Sequence, residues 1–87
     1  MTLMLESVLD RMRRSDQPQP ALGKAIRLLR EKQGATQEDL AYKAGVTTGT
    51  LSLIERGHAN PTWSTVRSIA AALERTMAEL SALADRQ

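Results

Sequence analysis

The amino-acid sequence predicts an all-α protein. Apolar residues recur along the chain at the three- and four-residue spacing of helices that bury one face. No segment alternates apolar and polar residues as a half-buried strand does, and no Asn-Gly or Asp-Gly pair offers a tight hairpin turn. Several threonines instead stand where a hydroxyl group would cap the first turn of a helix.

Composition limits the classes of protein that this chain represents. At 87 residues and without cysteine, it predicts one small domain with short extensions and no disulfide. The single histidine has no other metal ligands nearby, so the sequence predicts neither a metal site nor a cofactor. It also contains no nucleophile with a base partner, so it predicts no catalysis. No apolar run approaches the ~20 residues of a membrane span and no signal-peptide pattern opens the chain, so a soluble, cytoplasmic protein of a bacterium or phage host is expected.

The N-terminal part of the chain is predicted to be an appendage. Residues 1–15 are predicted to form an amphipathic helix, and the two prolines within residues 16–20 are expected to interrupt it and favour an extended linker. The apolar face of that helix comprises Leu5, Val8, Leu9 and Met12. A lone helix cannot bury such a face, which makes this segment a candidate dimerisation element, with packing back on its own domain as the alternative.

Residues 21–87 are predicted to form a domain of five helices. The first covers about residues 21–33 and ends at Gly34. Thr62 opens the fourth helix, and Thr76 opens the fifth with Glu79 in the position of a capping box. The inward faces of these three helices supply most of the predicted aliphatic core: Leu22, Ala25, Ile26, Leu29, Val66, Ile69, Ala70, Leu73, Met77, Leu80 and Leu83.

The segment TQEDLAYKAGVTTGTLSLIERG, which begins at Thr36, predicts the two middle helices. Thr36 is a good N-cap with Asp39 at the capping-box position, and Gly45 supplies the left-handed residue that ends the first of the two helices. Thr47 caps the second, which Gly57 closes. Two helices joined by so short a turn form a helix-turn-helix, whose second helix is built to lie in the major groove of DNA.

This segment resembles the Cro/CI-type (XRE) helix-turn-helix family, the lambda-repressor-like fold of phage repressors and many small bacterial regulators. The resemblance rests on short sequences at consistent spacing: TQEDLA at 36–41, AGV at 44–46, IERG at 54–57, IRLLR at 26–30 and NPT at 60–62. It covers about residues 22–83, which is most of the chain.

The resemblance implies a homodimeric regulator that binds a palindromic operator in double-stranded DNA, as a repressor or autoregulator. Relatives dimerise through the last helix. The same segment is also similar to restriction–modification controllers and antitoxins, and an antitoxin would have a toxin partner. A net charge of only +2 does not by itself indicate a nucleic-acid partner. A protein-interaction module that has lost DNA binding is therefore a further alternative.

The family's base-reading residues lie in the N-terminal half of the second motif helix. The matching positions here are Thr47, Thr48, Gly49, Thr50, Ser52 and Leu53. Their hydroxyl groups can form hydrogen bonds with base edges or phosphates, and threonine methyl groups and Leu53 can pack on thymine methyl groups. The alternative for Thr50 and Ser52 is simple capping or solvation. Relatives often carry long polar side chains in place of Gly49 and Leu53, so methyl contacts, water and DNA shape, or another part of the protein, would have to supply the specificity.

The resemblance also implies contacts to the DNA backbone. Gln37, at the N-terminus of the first motif helix, is expected to contact a phosphate, which the helix dipole and free N–H groups favour. Further candidates for phosphate contacts are Lys43, Arg56 and Asn60, the last of which could instead cap its loop. Glu55 would be repelled by phosphates, and the resemblance implies that it turns inward and pairs with Arg30. Trp63 is expected to pack over the helix junction.

Overall fold

The structure, a computed structural model, describes residues 19–87 and shows five α-helices and no strand in that range. The helices are α1 (Pro20–Lys32), α2 (Gln37–Ala44), α3 (Thr48–Glu55), α4 (Trp63–Ala72) and α5 (Met77–Asp85). All five were predicted from the sequence, with boundaries that differ by one or two residues. The predicted N-terminal helix and most of the predicted linker lie outside the described residues.

Four of the five helices begin after a threonine whose side-chain oxygen accepts a hydrogen bond from the backbone N–H three residues later. These caps are Thr36, Thr47, Thr62 and Thr76. Asp39 and Glu79 complete two capping boxes, since their carboxylates accept from the backbone N–H of Thr36 and Thr76 at 3.1 and 2.8 Å. Those bonds favour the charged form and lower the pKa of both carboxylates. The predicted caps are confirmed.

The turns between helices use the left-handed backbone conformation. Gly45, between α2 and α3, has φ 74°, as the sequence predicted for the corner of the motif. Glu74, between α4 and α5, has φ 60°, a conformation that residues with a side chain adopt rarely. The sequence carries no glycine there and gave no signal of this turn.

The core is aliphatic and contains the apolar faces predicted from the sequence. Residues of all five helices contribute to one cluster, and the largest fully buried members are Leu22, Ile26, Leu51, Ile54, Val66, Ile69, Leu73 and Leu80. Met77 and Leu83 are only partly buried at its edge, whereas Ala84, which was not predicted, is fully buried. Trp63 packs against the cluster, as expected.

Each of the two motif helices, α2 and α3, packs against two other helices of the domain. α1 packs against α3 and α5, while α2 packs against α3 and α4. Because α3 contacts both α1 and α2, its position in the domain is fixed from two sides. Its buried residues, Leu51, Ile54 and Glu55, lie in the middle and at the C-terminal end, so the N-terminal turn is left at the surface.

Candidate nucleic-acid interface

The first turn of α3 forms an exposed surface rich in hydroxyl groups. Thr47, Thr48, Gly49 and Thr50 are all exposed. One turn further along, Leu53 is 42% exposed and Ser52 is half-buried. The structure thus brings together all six residues predicted to read bases, five of them on one short helix whose opposite face is in the core and Thr47 as its N-cap.

Hydrogen bonds within this turn set which hydroxyl groups are available. The Thr47 oxygen accepts from the backbone N–H of Thr50 at 3.0 Å, and the Thr47 hydroxyl donates to the Thr50 side-chain oxygen at 2.9 Å. Thr47 is therefore committed to the cap, whereas Thr50 keeps its own O–H to donate. Thr48 makes no side-chain hydrogen bond within residues 19–87, which leaves both its donor and its acceptors for a ligand.

Gly49 is not required by packing inside the domain. A Cβ atom built at this position would have the Thr47 hydroxyl oxygen, 4.0 Å away, as its nearest neighbour. Glycine costs up to ~1 kcal/mol relative to alanine within a helix. Packing among the described residues therefore gives no reason for a glycine at this position.

A buried ion pair joins α1 to α3, as the resemblance implied. Arg30 Nε lies 2.8 Å from Glu55 Oε2, and Arg30 Nη2 donates to Glu55 Oε1 at 3.0 Å. The side chains of Arg30 and Glu55 are only 11% and 2% exposed. The hydrogen bond to Glu55 raises the pKa of Arg30 above its ordinary value. Glu55 is thus neutralised inside the domain and is not a surface charge beside the exposed turn.

Gln37 is the site residue whose surroundings differ most from the expectation. It is the first residue of α2 and half-buried, and its Nε2 donates to Glu55 Oε1 at 2.9 Å. The resemblance implied a contact to phosphate, with a plain surface glutamine as the alternative, and neither gave a signal for this bond. One N–H of the amide is therefore already used within the domain.

The other predicted phosphate contacts lie on the surface. Lys43 in the last turn of α2, Arg56 after α3, and Asn60 in the following loop are all exposed. Arg56 Nε makes only a long bond, 3.4 Å, to the carbonyl oxygen of Ser52. Across residues 19–87, no helix is long and apolar enough to span a bilayer, and no group of acidic, histidine or cysteine side chains could hold a metal ion.

The bundle, the left-handed corner at Gly45 and the exposed first turn of α3 together define a helix-turn-helix protein. The chain belongs to the helix-turn-helix domain family, since the model of that family matches residues 21–83. It is 40% identical over 60 residues to the HTH-type transcriptional regulator SlrR of Bacillus subtilis (strain 168). That match covers 68% of this chain and 40% of SlrR, so the chain spans about two-fifths of its relative's length.

Solved structures show the same architecture. The clp gene regulator ClgR from Corynebacterium glutamicum is 32% identical, with a TM-score of 0.76 over 78% of this chain and 87% of ClgR. The restriction–modification controller protein C.Esp1396I is 30% identical, with a TM-score of 0.72 over 77% of this chain and 88% of the controller. C.Esp1396I was also solved as a nucleoprotein complex. These likenesses confirm the resemblance to the Cro/CI-type (XRE) family.

Proposed function

We propose that this protein is a sequence-specific regulator of transcription that binds double-stranded DNA. The observation that carries the proposal is the exposed first turn of α3, a helix that packs against both α1 and α2. A recognition helix must present its N-terminal residues rigidly to base edges. The likeness to proteins named as regulators, one of them solved as a nucleoprotein complex, supports the same conclusion.

The side-chain groups exposed on this turn suggest which part of the DNA each residue contacts. Thr48, with both donor and acceptors free among the described residues, is suited to base edges, and Leu53 to a thymine methyl group. Ser52 and the Thr50 hydroxyl add further polar contacts. The bare backbone at Gly49 allows close approach to the groove. With no long polar reader on this turn, DNA shape and water contribute to specificity.

Contacts to the DNA backbone position the protein without reading sequence. We assign one phosphate to Gln37 and the N–H groups at the start of α2, because a helix N-terminus carries partial positive charge. Additional backbone contacts are assigned to Lys43, Arg56 and Asn60. Neutralisation of Glu55 by Arg30 removes the one carboxylate of α3 that would oppose these contacts.

The biological form that we propose is a homodimer on a palindromic operator, acting as a repressor or autoregulator. Two copies of a domain this small bind two half-sites, with recognition helices roughly 34 Å apart in successive major grooves. The likeness to C.Esp1396I favours a restriction–modification controller as a second candidate. A methyltransferase or nuclease gene beside this one would support that role, and an adjacent toxin gene would indicate an antitoxin.

Selection of bound duplexes from a random pool tests the proposed function. We expect a palindromic consensus, with the Thr48→Ala variant selecting an altered one. Ser68→Ala is the matched control, because Ser68 is an exposed hydroxyl residue on α4, outside the motif. Two negative results together would instead indicate a protein-interaction module. In that case the wild-type protein would enrich no sequence, and its binding to random duplex would be no stronger at low salt than at high salt.

A further inference from the structure

The Glu55 carboxylate is a meeting point of three helices. Its Oε2 accepts from Arg30 Nε at 2.8 Å, and its Oε1 accepts from Arg30 Nη2 at 3.0 Å and from Gln37 Nε2 at 2.9 Å. Arg30 Nη1 also donates to the Ala35 carbonyl oxygen at 2.9 Å, just before the start of α2. The carboxylate is therefore fixed by α1 on one side and holds a side chain of α2 on the other.

This arrangement determines how the Gln37 amide is oriented. A carboxylate only accepts hydrogen bonds, so the nitrogen of the amide, and not its oxygen, must face Glu55. The same nitrogen carries a second N–H, and no group within residues 19–87 takes it. Since phosphate oxygens also only accept, that second N–H is the part of Gln37 that a DNA backbone would engage. An untethered glutamine could equally present its oxygen, which a phosphate repels.

We infer that Glu55 is a positioning residue for DNA binding: it fixes Gln37 in the free protein with a donor available for a phosphate. The inference rests on the proposed function and extends it from the surface of the site to its interior. Arg30 is part of the same device, because it neutralises and orients the carboxylate. Glu55 itself touches no DNA in this arrangement, since its side chain is 2% exposed.

The expected size of the effect follows from the cost of ordering one side chain. Immobilising a flexible side chain at an interface costs an amount that corresponds to about a two- to tenfold change in affinity. Removal of the Glu55 carboxylate should therefore weaken binding by about that factor. The loss should be similar for every duplex, because a phosphate contact carries no sequence information.

A double-mutant cycle on DNA affinity separates positioning from general structural support. Glu55→Gln, Gln37→Ala and the double variant are titrated with the selected duplex and a panel of its single-base variants. We expect Glu55→Gln to weaken binding to the whole panel alike and to have no further effect when Gln37 is already alanine. A loss that persists in the Gln37→Ala background, or that changes base preference, would overturn the positioning role. Glu74→Gln is the control, as it alters an exposed carboxylate between α4 and α5, outside the motif.

Two measurements keep the inference testable if Glu55→Gln fails to fold. The first repeats the cycle with Arg30→Met and Glu55→Met together, which leaves no buried charge without a partner. The second records ¹⁵N relaxation of the Gln37 side-chain amide in the free wild-type protein. We expect an order parameter near the value of a rigid backbone, about 0.85, and an order parameter below about 0.6 would overturn the inference. Wild-type protein that binds no duplex would overturn the proposed function, whereas normal binding with an uncoupled Glu55 would overturn the positioning role alone.

Discussion

Gly23 of α1 lies directly against the main-chain carbonyl oxygen of Ile54 in α3. A Cβ atom at Gly23 would clash with that oxygen and would come within 3.0 Å of the carbonyl oxygen of Glu55. These oxygens belong to the backbone of a packed helix end and cannot rotate aside as a side chain would. The two helices joined by the pair of Arg30 and Glu55 therefore also meet backbone to backbone.

We predict that Gly23→Ala destabilises the domain, although glycine-to-alanine changes usually stabilise helices by up to ~1 kcal/mol. Overpacking at this crossing should lower the free energy of unfolding by about 1–3 kcal/mol. Urea denaturation followed by circular dichroism measures the change. Gly49→Ala is the control, because the space around Gly49 is open and its stability should not fall. A Gly23→Ala protein as stable as the wild type would show that the helices are not in contact here.

A second prediction concerns the ion pair between Arg30 and Glu55. Removing either partner strands a charge in the interior, so Arg30→Met or Glu55→Gln should each cost about 3 kcal/mol. The exposed pair of Arg27 and Glu31, 3.0 Å apart, is the comparison and should contribute only ~0–1 kcal/mol. A double-mutant cycle on unfolding free energies measures both couplings. A coupling energy near zero for the buried pair would contradict its role in joining α1 to α3.

Helices and caps were predictable because their sequence signals are local. Thr36 and Asp39, or Thr76 and Glu79, lie three residues apart and make their bonds within one turn. The apolar spacing likewise indicated which face of each helix would be buried. The pair of Arg30 and Glu55 came from the family resemblance rather than from any local pattern.

Two other bonds between distant residues were not predicted from the sequence. Gln37 Nε2 and Glu55 Oε1 meet across 18 positions, and Gln33 Nε2 donates to the Leu73 carbonyl oxygen across 40. Such contacts depend on the packing of whole helices. The candidate site residues were chosen by residue identity and remain a prediction, whereas the bond from Gln37 to Glu55 inside the domain appears only in three dimensions.

A third prediction separates base reading from backbone contact. Thr48→Ala should change base preference, because a well-made groove contact discriminates between bases by about 1–3 kcal/mol. Gln37→Ala should weaken all duplexes similarly, because a phosphate contact positions the protein without specifying sequence. Affinities of both variants for a panel of single-base substitutions measure the difference. Altered preference with Gln37→Ala and none with Thr48→Ala would reverse the two assigned roles.

The two capping boxes predict how stability depends on acid. Hydrogen bonds from the backbone of Thr36 and Thr76 lower the pKa of Asp39 and Glu79 below their ordinary values of 3.8 and 4.5. A group whose pKa is lower in the folded than in the unfolded state stabilises the folded state, and it does so fully at pH above its unfolded-state pKa. This contribution is lost as the pH falls through the folded-state pKa. The melting temperature should therefore drop below about pH 4.5, and less steeply in Asp39→Asn and Glu79→Gln proteins. Identical pH profiles for wild type and variants would exclude this contribution.

The last prediction concerns the dimer interface, for which the chain offers two apolar surfaces. One is on α5, where Leu83 is partly buried and near Leu28 of α1, itself 47% exposed. The other is the stripe of Leu5, Val8, Leu9 and Met12 in the segment preceding the described domain. The resemblance implies the first surface, but that stripe is surplus to the family fold. We therefore expect the N-terminal segment to extend the interface that α5 begins.

Deleting residues 1–17 should raise the dimer dissociation constant by at least about tenfold. That change corresponds to ~1.4 kcal/mol of binding free energy, which is less than the free energy gained by burying one large apolar side chain. Sedimentation equilibrium over a range of concentrations measures the constant, and circular dichroism checks that the shortened chain keeps its helices. Leu83→Ala in the 87-residue chain is the companion variant, because it weakens the α5 surface alone. If the shortened protein dimerises as tightly as the full chain and Leu83→Ala does not, the interface belongs to α5 and the N-terminal segment packs elsewhere.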